Sequence, residues 1–445
     1  MFIVGVMLLW SSALFAATPE LVSGPMLANG NHHDVTIWLR TNMPTGVTIR
    51  FWPNGQVGQA RSEAFVTGGE DKRLLTARLT GLKAGSEYMY TVSLAGVKVE
   101  KAYPLKFNTQ PIWRRRADPP DFTFAVGSCA YTNDAETEPP GATYGGGYPI
   151  YESVLGQSPD VMIWLGDNIY LRPFDWSSRA GIFARYAKTR SLKVVQPLLA
   201  SAFHYATWDD HDYGPNDSNW SYVHKLDSLA AFKAYWPNPS YGMPGVPGVF
   251  TQFTWGDVDV FLLDNRFYRS ASSAPDDAKK TMLGEQQLMW LLDALSASRA
   301  PFKIVAGGGQ FLSPFDRWEG YAQFKTEQQR LIDQIVKRRL SGVVFVSGDR
   351  HHTELVKLEP EGFYPLYDFT SSPLTSRGAS ADGEWESPVR VQGTLVTQKR
   401  NFGLLKFSGS AKDRVLTIET RDTAGALLWA RTIRANELIP SPVVK

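Results

Sequence analysis

The stretch Phe124–Tyr131, "FAVGSCAY", carries the single cysteine of the 445-residue chain, placed where an apolar run gives way to small polar residues. An apolar run of this length that stops at Gly-Ser reads as a strand followed by a tight turn. On its own Cys129 is filler, nucleophile or metal ligand, and its surroundings must decide. Five more runs of the same kind follow it. "DVMIWL" leads to Gly166-Asp167-Asn168-Ile169-Tyr170, "FHYATW" to Asp209-Asp210-His211-Asp212, and "VDVFLL" to Asp264-Asn265-Arg266. "FKIVAG" leads to Gly308-Gly309-Gln310, and "GVVFVS" to Gly348-Asp349-Arg350-His351-His352. Between several of them lie segments such as "EQQLMWLLDAL" and "EQQRLIDQIV", whose apolar residues recur at helical spacing.

Strands alternating with helices predict a layered α/β domain, here over residues 121–435. Ligands of open α/β sheets bind outside the carboxyl ends of the strands. Six such ends therefore offer a thiol, several carboxylates, a phenol, an amide and imidazoles to one crevice. A single carboxylate at a strand end is ordinary helix capping, but six polar ends together define a site. Burying so many acceptors unpaired is costly, and bound cations remove that cost.

Ahead of this domain, residues 18–110 read as short alternating strands: "HDVTIWLRT", "GVTIRFWPNG", "LLTARLTGL", "SEYMYTVSL" and "YPLKFNT". Turn residues between them predict a small β-sandwich. Its "ARLTGLKAGSEYMYTV" stretch resembles the tyrosine corner of fibronectin type III domains. His32 and His33 are expected as solvated loop residues, and residues 111–120, "PIWRRRADPP", as a solvated linker. The first 17 residues have the apolar core and small-residue end of a secretory signal, with cleavage after Ala16 or Ala17. That predicts a periplasmic or secreted protein with no integral membrane segment after cleavage. A lone cysteine in such a compartment cannot form an internal disulfide. With 20% charged residues and a formal net charge of +2, no field of one sign covers the chain. A stable nucleic-acid complex is not expected, and the chain is expected to be a monomer.

Taken in order, "GSC", "GDNIY", "WDDHDYG", "DNR", "GGGQ" and "SGDRHH" resemble the PhoD-like alkaline phosphatase family of the metallo-dependent phosphatase superfamily. The resemblance implies a four-layer α/β/β/α sandwich preceded by a fibronectin III or immunoglobulin-like β-sandwich. It also implies hydrolysis of phosphate esters by metal-activated water, with a phosphodiesterase or phospholipase D-like activity as the alternative. Carried over by residue, Cys129, Tyr170 and His351 bind one metal, Asp167 bridges two, and Asp210 and Asp349 bind the second. His211 contacts phosphate or protonates the leaving group. Gln310 stands near a ligand slot and, with Asn216, is assigned to substrate binding; Asp217 is a second candidate for substrate or an additional metal. A phenolate and a thiolate suit Fe3+, and the carboxylates suit Ca2+, with Mn2+, Mg2+ or Zn2+ as alternatives. Arg266 either grips phosphate or supports the site through an aspartate.

Two other classes compete. An adhesion protein with a degenerate site would lack some of these ligands, yet every slot holds a plausible residue. A serine or cysteine hydrolase finds no "G-x-S-x-G" elbow in the chain.

Overall fold

The structure, a computed structural model, describes residues 17–69, 71–141 and 144–441. All but the last residue of the expected secretory segment thus lies outside the described residues. Each of the six apolar runs forms a buried strand, and they divide between two sheets. Strands Phe122–Gly127, Val161–Leu165 and Phe203–Thr207 run parallel in a nine-stranded sheet. Strands Val258–Leu262, Phe302–Ala306 and Val343–Ser347 run parallel in a six-stranded sheet.

Alternation along the strands builds the layers. Phe124 and Val126 lie in one core with Val260 and Ile304 of the other sheet. Their neighbour Ala125 points the opposite way, with Met162 and Trp164, into a second core that includes Ile182, Tyr186 and Phe232 of the helices Arg179–Arg190 and Lys225–Tyr235. Helices Glu285–Ala297 and Lys325–Lys337 bring Leu288, Leu292 and Ile335 to the six-stranded sheet. The order is helix, sheet, sheet, helix, as the family resemblance implies. After residue 400, strands Asn401–Ser408, Val415–Asp422 and Leu427–Arg434 close the nine-stranded sheet by antiparallel pairing beside Phe122–Gly127.

The N-terminal sandwich has one sheet of its own, with strands Arg61–Val66, Gly46–Pro53, Glu87–Leu94 and two short partners. Tyr88 accepts a 2.9 Å hydrogen bond at its hydroxyl from the amide of Lys83, the bond that a tyrosine corner makes to upstream backbone. Its other sheet is shared. Strand Leu21–Ala28 pairs in parallel with Phe203–Thr207, Leu27 opposite Phe203, so the sandwich extends the nine-stranded sheet. That strand, "LVSGPMLA", is absent from the sequence reading because Gly24-Pro25 signals a turn and Pro cannot donate to a ladder. The structure accommodates it with register shifts between Leu21 and Met26, and the amide of Gly24 donates instead to Gln196. Among the described residues, no helix is long and apolar enough to cross a membrane.

Candidate metal centre

The strand ends meet at one cavity of about 850 Å3, and Asp167, Asp210, His211, Asn216, Asp349 and His351 all line it. Close approach of the loops depends on glycine at two places. A Cβ on Gly348 would lie 2.5 Å from the Cβ of Ser128 and 2.6 Å from the carbonyl of Leu165. On Gly166, which sits at φ +87°, it would lie 2.7 Å from the Cβ of Asp209. Four side chains of the cluster also hang from left-handed backbone: Cys129 at φ 59°, Asp167 at 52°, Asp349 at 67° and His351 at 52°. Such conformations cost free energy in non-glycine residues and concentrate at functional sites.

Two groups of ligand atoms form, each with its members within 4.8 Å of one another: Cys129, Asp167 and His351, and then Asp167, Asp210 and His211. Asp167 belongs to both. In the first group the Cys129 thiol lies 3.6 Å from Asp167 Oδ2 and accepts a bond from the Ser372 hydroxyl at 3.2 Å. The Tyr170 hydroxyl stands 3.1 Å from the same Asp167 oxygen and 3.3 Å from His351 Nε2. His351 Nδ1 lies 2.8 Å from the carbonyl of Arg377, which turns Nε2 toward the cluster. In the second group His211 lies against Tyr170, ring centres 4.2 Å apart and planes tilted by 30°, and its Nε2 is 3.9 Å from Asp210 Oδ2. Its Nδ1 is buried without a hydrogen-bond partner among the described residues. Asp349 shares the cavity, but its carboxylate falls outside both groups.

Burial, followed by the charge of Asp210, drives the Asp167 carboxyl well above the ordinary carboxylate range. Burial also pushes the Cys129 thiol up to about 12, with Asp349 adding to it, and raises the Tyr170 phenol with help from Asp167. Burial lowers His351 and keeps its imidazole neutral, the form that ligates metals. Asp210 is the exception. Burial opposes its charge, but His211 and Arg266 outweigh burial and hold it down at about 2. Thiol, phenol and carboxyl groups packed together resist ionisation, and a cation among them reverses that preference. The donor set therefore fits a metal pair: S, phenolic O, N and carboxylate O on one side, and carboxylate O on the other.

Two sequence assignments are corrected. Arg266 does not face substrate: it is buried, its Nε bonds Asp209 Oδ1 at 2.5 Å, and Nη1 and Nη2 bond the two Glu319 oxygens at 2.7 and 3.1 Å. Its role is the supporting one, through Asp209 and Glu319; toward Asp264 only its backbone amide reaches. Gln310 is likewise buried and outside the cavity wall, with Nε2 donating to Glu354 and Thr370 and Oε1 accepting from Arg350. Buried guanidinium and amide groups must spend their hydrogen bonds on protein, and both do.

Glu319 was missed by the sequence reading. It approaches Asp210 and Asp217 within 4.8 Å in a third acidic group, but its two oxygens are occupied by Arg266. A lone "WEG" in a loop carries no spacing signal that could have found it. His204 packs between the indole of Trp164 and the carbonyl of Leu198, and His32 and His33 each turn Nδ1 to a backbone carbonyl.

The fold is that of metallophosphatases. A structure titled "Structure of PhoD" superposes with a TM-score of 0.75 at 18% identity, covering 93% of this chain and 90% of that one. The structure of a purple acid phosphatase from yellow lupin seeds superposes at 0.65 and 11% identity, covering 96% and 78%. Within that fold, the family model described as PhoD-like phosphatase matches residues 124–420, more than half of the sequence, and the chain belongs to that family. A second model, described as a domain of unknown function, matches residues 18–112. Alkaline phosphatase D of Bacillus subtilis (strain 168) is 25% identical over 359 residues. That match takes in 65% of this chain but 59% of the relative, less than two thirds of its length.

Proposed function

We propose that the protein hydrolyses phosphate esters at a metal pair held by the strand-end loops. The observation that carries this reading is the sharing of Asp167 between the two ligand groups, the arrangement a bridging carboxylate requires. Cys129, Tyr170, Asp167 and His351 would hold one ion, and Asp167 and Asp210, with Asp349 lining the same cavity, the other. Fe3+ suits the thiolate-phenolate side and Ca2+, Mn2+ or Mg2+ the oxygen side, while Zn2+ is the main competitor. Bound there, the cations supply a lowered water pKa and neutralise phosphoryl oxygens in an in-line displacement.

The protein's own groups supply orientation and a proton. Tyr170 packs against the His211 ring and orients it, while Asp210 stands near its Nε2. The imidazole faces the cavity and can hand a proton to the departing alkoxide. Asn216, exposed on the same wall, can bond a phosphoryl or sugar-like oxygen.

Elemental analysis of protein purified without chelator, run beside hydrolysis of p-nitrophenyl phosphate, tests the proposal. Iron with calcium and chelator-sensitive turnover are expected; a metal-free protein that still turns over would overturn it. The cavity volume also accommodates the second arm of a diester. A tenfold preference for bis-p-nitrophenyl phosphate or phosphatidylcholine over the monoester would make diesterase the better reading. We further propose export with cleavage after Ala16 or Ala17; N-terminal sequencing of the mature protein checks it, and an intact Met1 would refute it.

A further inference from the structure

The wall of the cavity that holds the ligand groups includes a tryptophan. Trp318 lines the same cavity as Asp167, Asp210 and His211, is 67% exposed, and makes no hydrogen bond or ring contact among the described residues. An exposed tryptophan is common enough to need no explanation by itself. Here the backbone that carries it is held in an unusual conformation. Trp318 and Glu319 are consecutive left-handed residues, at φ 50° and 65°, a conformation that non-glycine residues pay for and that persists only when neighbours enforce it. The enforcement is visible: Arg266 grips both Glu319 oxygens, and Arg269 Nη2 bonds the Glu319 carbonyl at 3.0 Å. The residue that carries the indole is thus held on a fixed support in the wall of the same cavity.

The rest of the wall says what it does not bind. Among the residues lining the cavity the single arginine or lysine is Arg350, and its guanidinium is occupied by Glu384 at 2.8 Å and by Gln310. Among the described residues, the wall offers no unengaged arginine or lysine to a second anionic group. At about 850 Å3 the cavity also leaves room beyond a phosphoryl group for a sizeable alcohol half.

We propose that Trp318 is a specificity-determining residue whose indole face stacks on a flat, uncharged, aryl-type alcohol half of the phosphate ester. This rests on the phosphoesterase reading above. The test compares binding of phenylphosphonate and methylphosphonate to the metal-loaded full chain by calorimetry, together with KM for phenyl phosphate and glycerol phosphate. The wild type should favour the phenyl ligand by about fivefold or more, Trp318→Phe should keep most of that preference, and Trp318→Ala should bring the ratio close to one. An unchanged ratio in Trp318→Ala overturns the proposal. So does a variant that loses choline phosphate rather than phenyl phosphate, because the face would then read cations. If the wild type turned over neither ester yet still discriminated phenyl from methyl through Trp318, the platform would stand and the hydrolase reading would fall.

Discussion

Arg266 and Glu319 form a two-pronged ion pair, Nη1 to Oε1 at 2.7 Å and Nη2 to Oε2 at 3.1 Å, while the remaining Nε of the same arginine holds Asp209. One buried guanidinium thus joins the loop after Leu262 to two others that meet at the cavity. Removing one partner of a buried ion pair strands the other charge, at a cost of about 3–5 kcal/mol. Arg266→Met should lose stability of that order in urea unfolding and lower turnover with it. A loss under about 1 kcal/mol would show that the network is dispensable.

Asp167 lies in both ligand groups, whereas His351 lies in one. Metal content should follow that count. Asp167→Ala is expected to lose both ions and His351→Ala one, by elemental analysis of folded protein. Equal metal content in the two variants would refute the bridging role.

Cys129 and Tyr170 approach the same Asp167 oxygen, at 3.6 and 3.1 Å. If they ligate one ferric ion, the protein should show a visible phenolate-to-metal absorption. Cys129→Ser should shift or abolish that band and lower iron relative to calcium. A spectrum and metal content unaffected by the change would return the thiol to the role of packing group.

His204 predicts a pH dependence unrelated to the metals. Burial lowers its pKa from an ordinary 6.5 to about 3, so the fold keeps the ring neutral between Trp164 and Leu198. Between those values the unfolded chain binds a proton that the folded chain refuses. Stability therefore falls as pH drops from 6.5 toward 3, by up to about 1.4 kcal/mol per pH unit from this residue. Denaturant titrations of wild type and His204→Gln across that window should differ in slope by about one proton. Parallel slopes would contradict it.

Much of this was readable from sequence because its causes are local. An apolar run ended by Gly-Asp or Gly-Ser predicts both the strand and the side of the sheet on which Asp167, Cys129 and Asp349 emerge. Tyr88 announces its corner through residues five positions away. The failures are all matters of distant partners. Nothing in "DNR" shows that Arg266 will find Glu319, or in "GGGQ" that Gln310 will turn to Glu354 and Thr370. The strand Leu21–Ala28 was hidden because its local signal, Gly-Pro, contradicts a tertiary environment that accepts it.

The parallel pairing of Leu27 with Phe203 reaches past the geometry of the sandwich. During synthesis the first strand emerges well before its partner and must wait with an unpaired edge until Phe203–Thr207 leaves the ribosome. The N-terminal sheet can therefore be completed only with the α/β half. Separately expressed halves would each carry an open seam, and the two parts of the chain are committed to fold and to survive together.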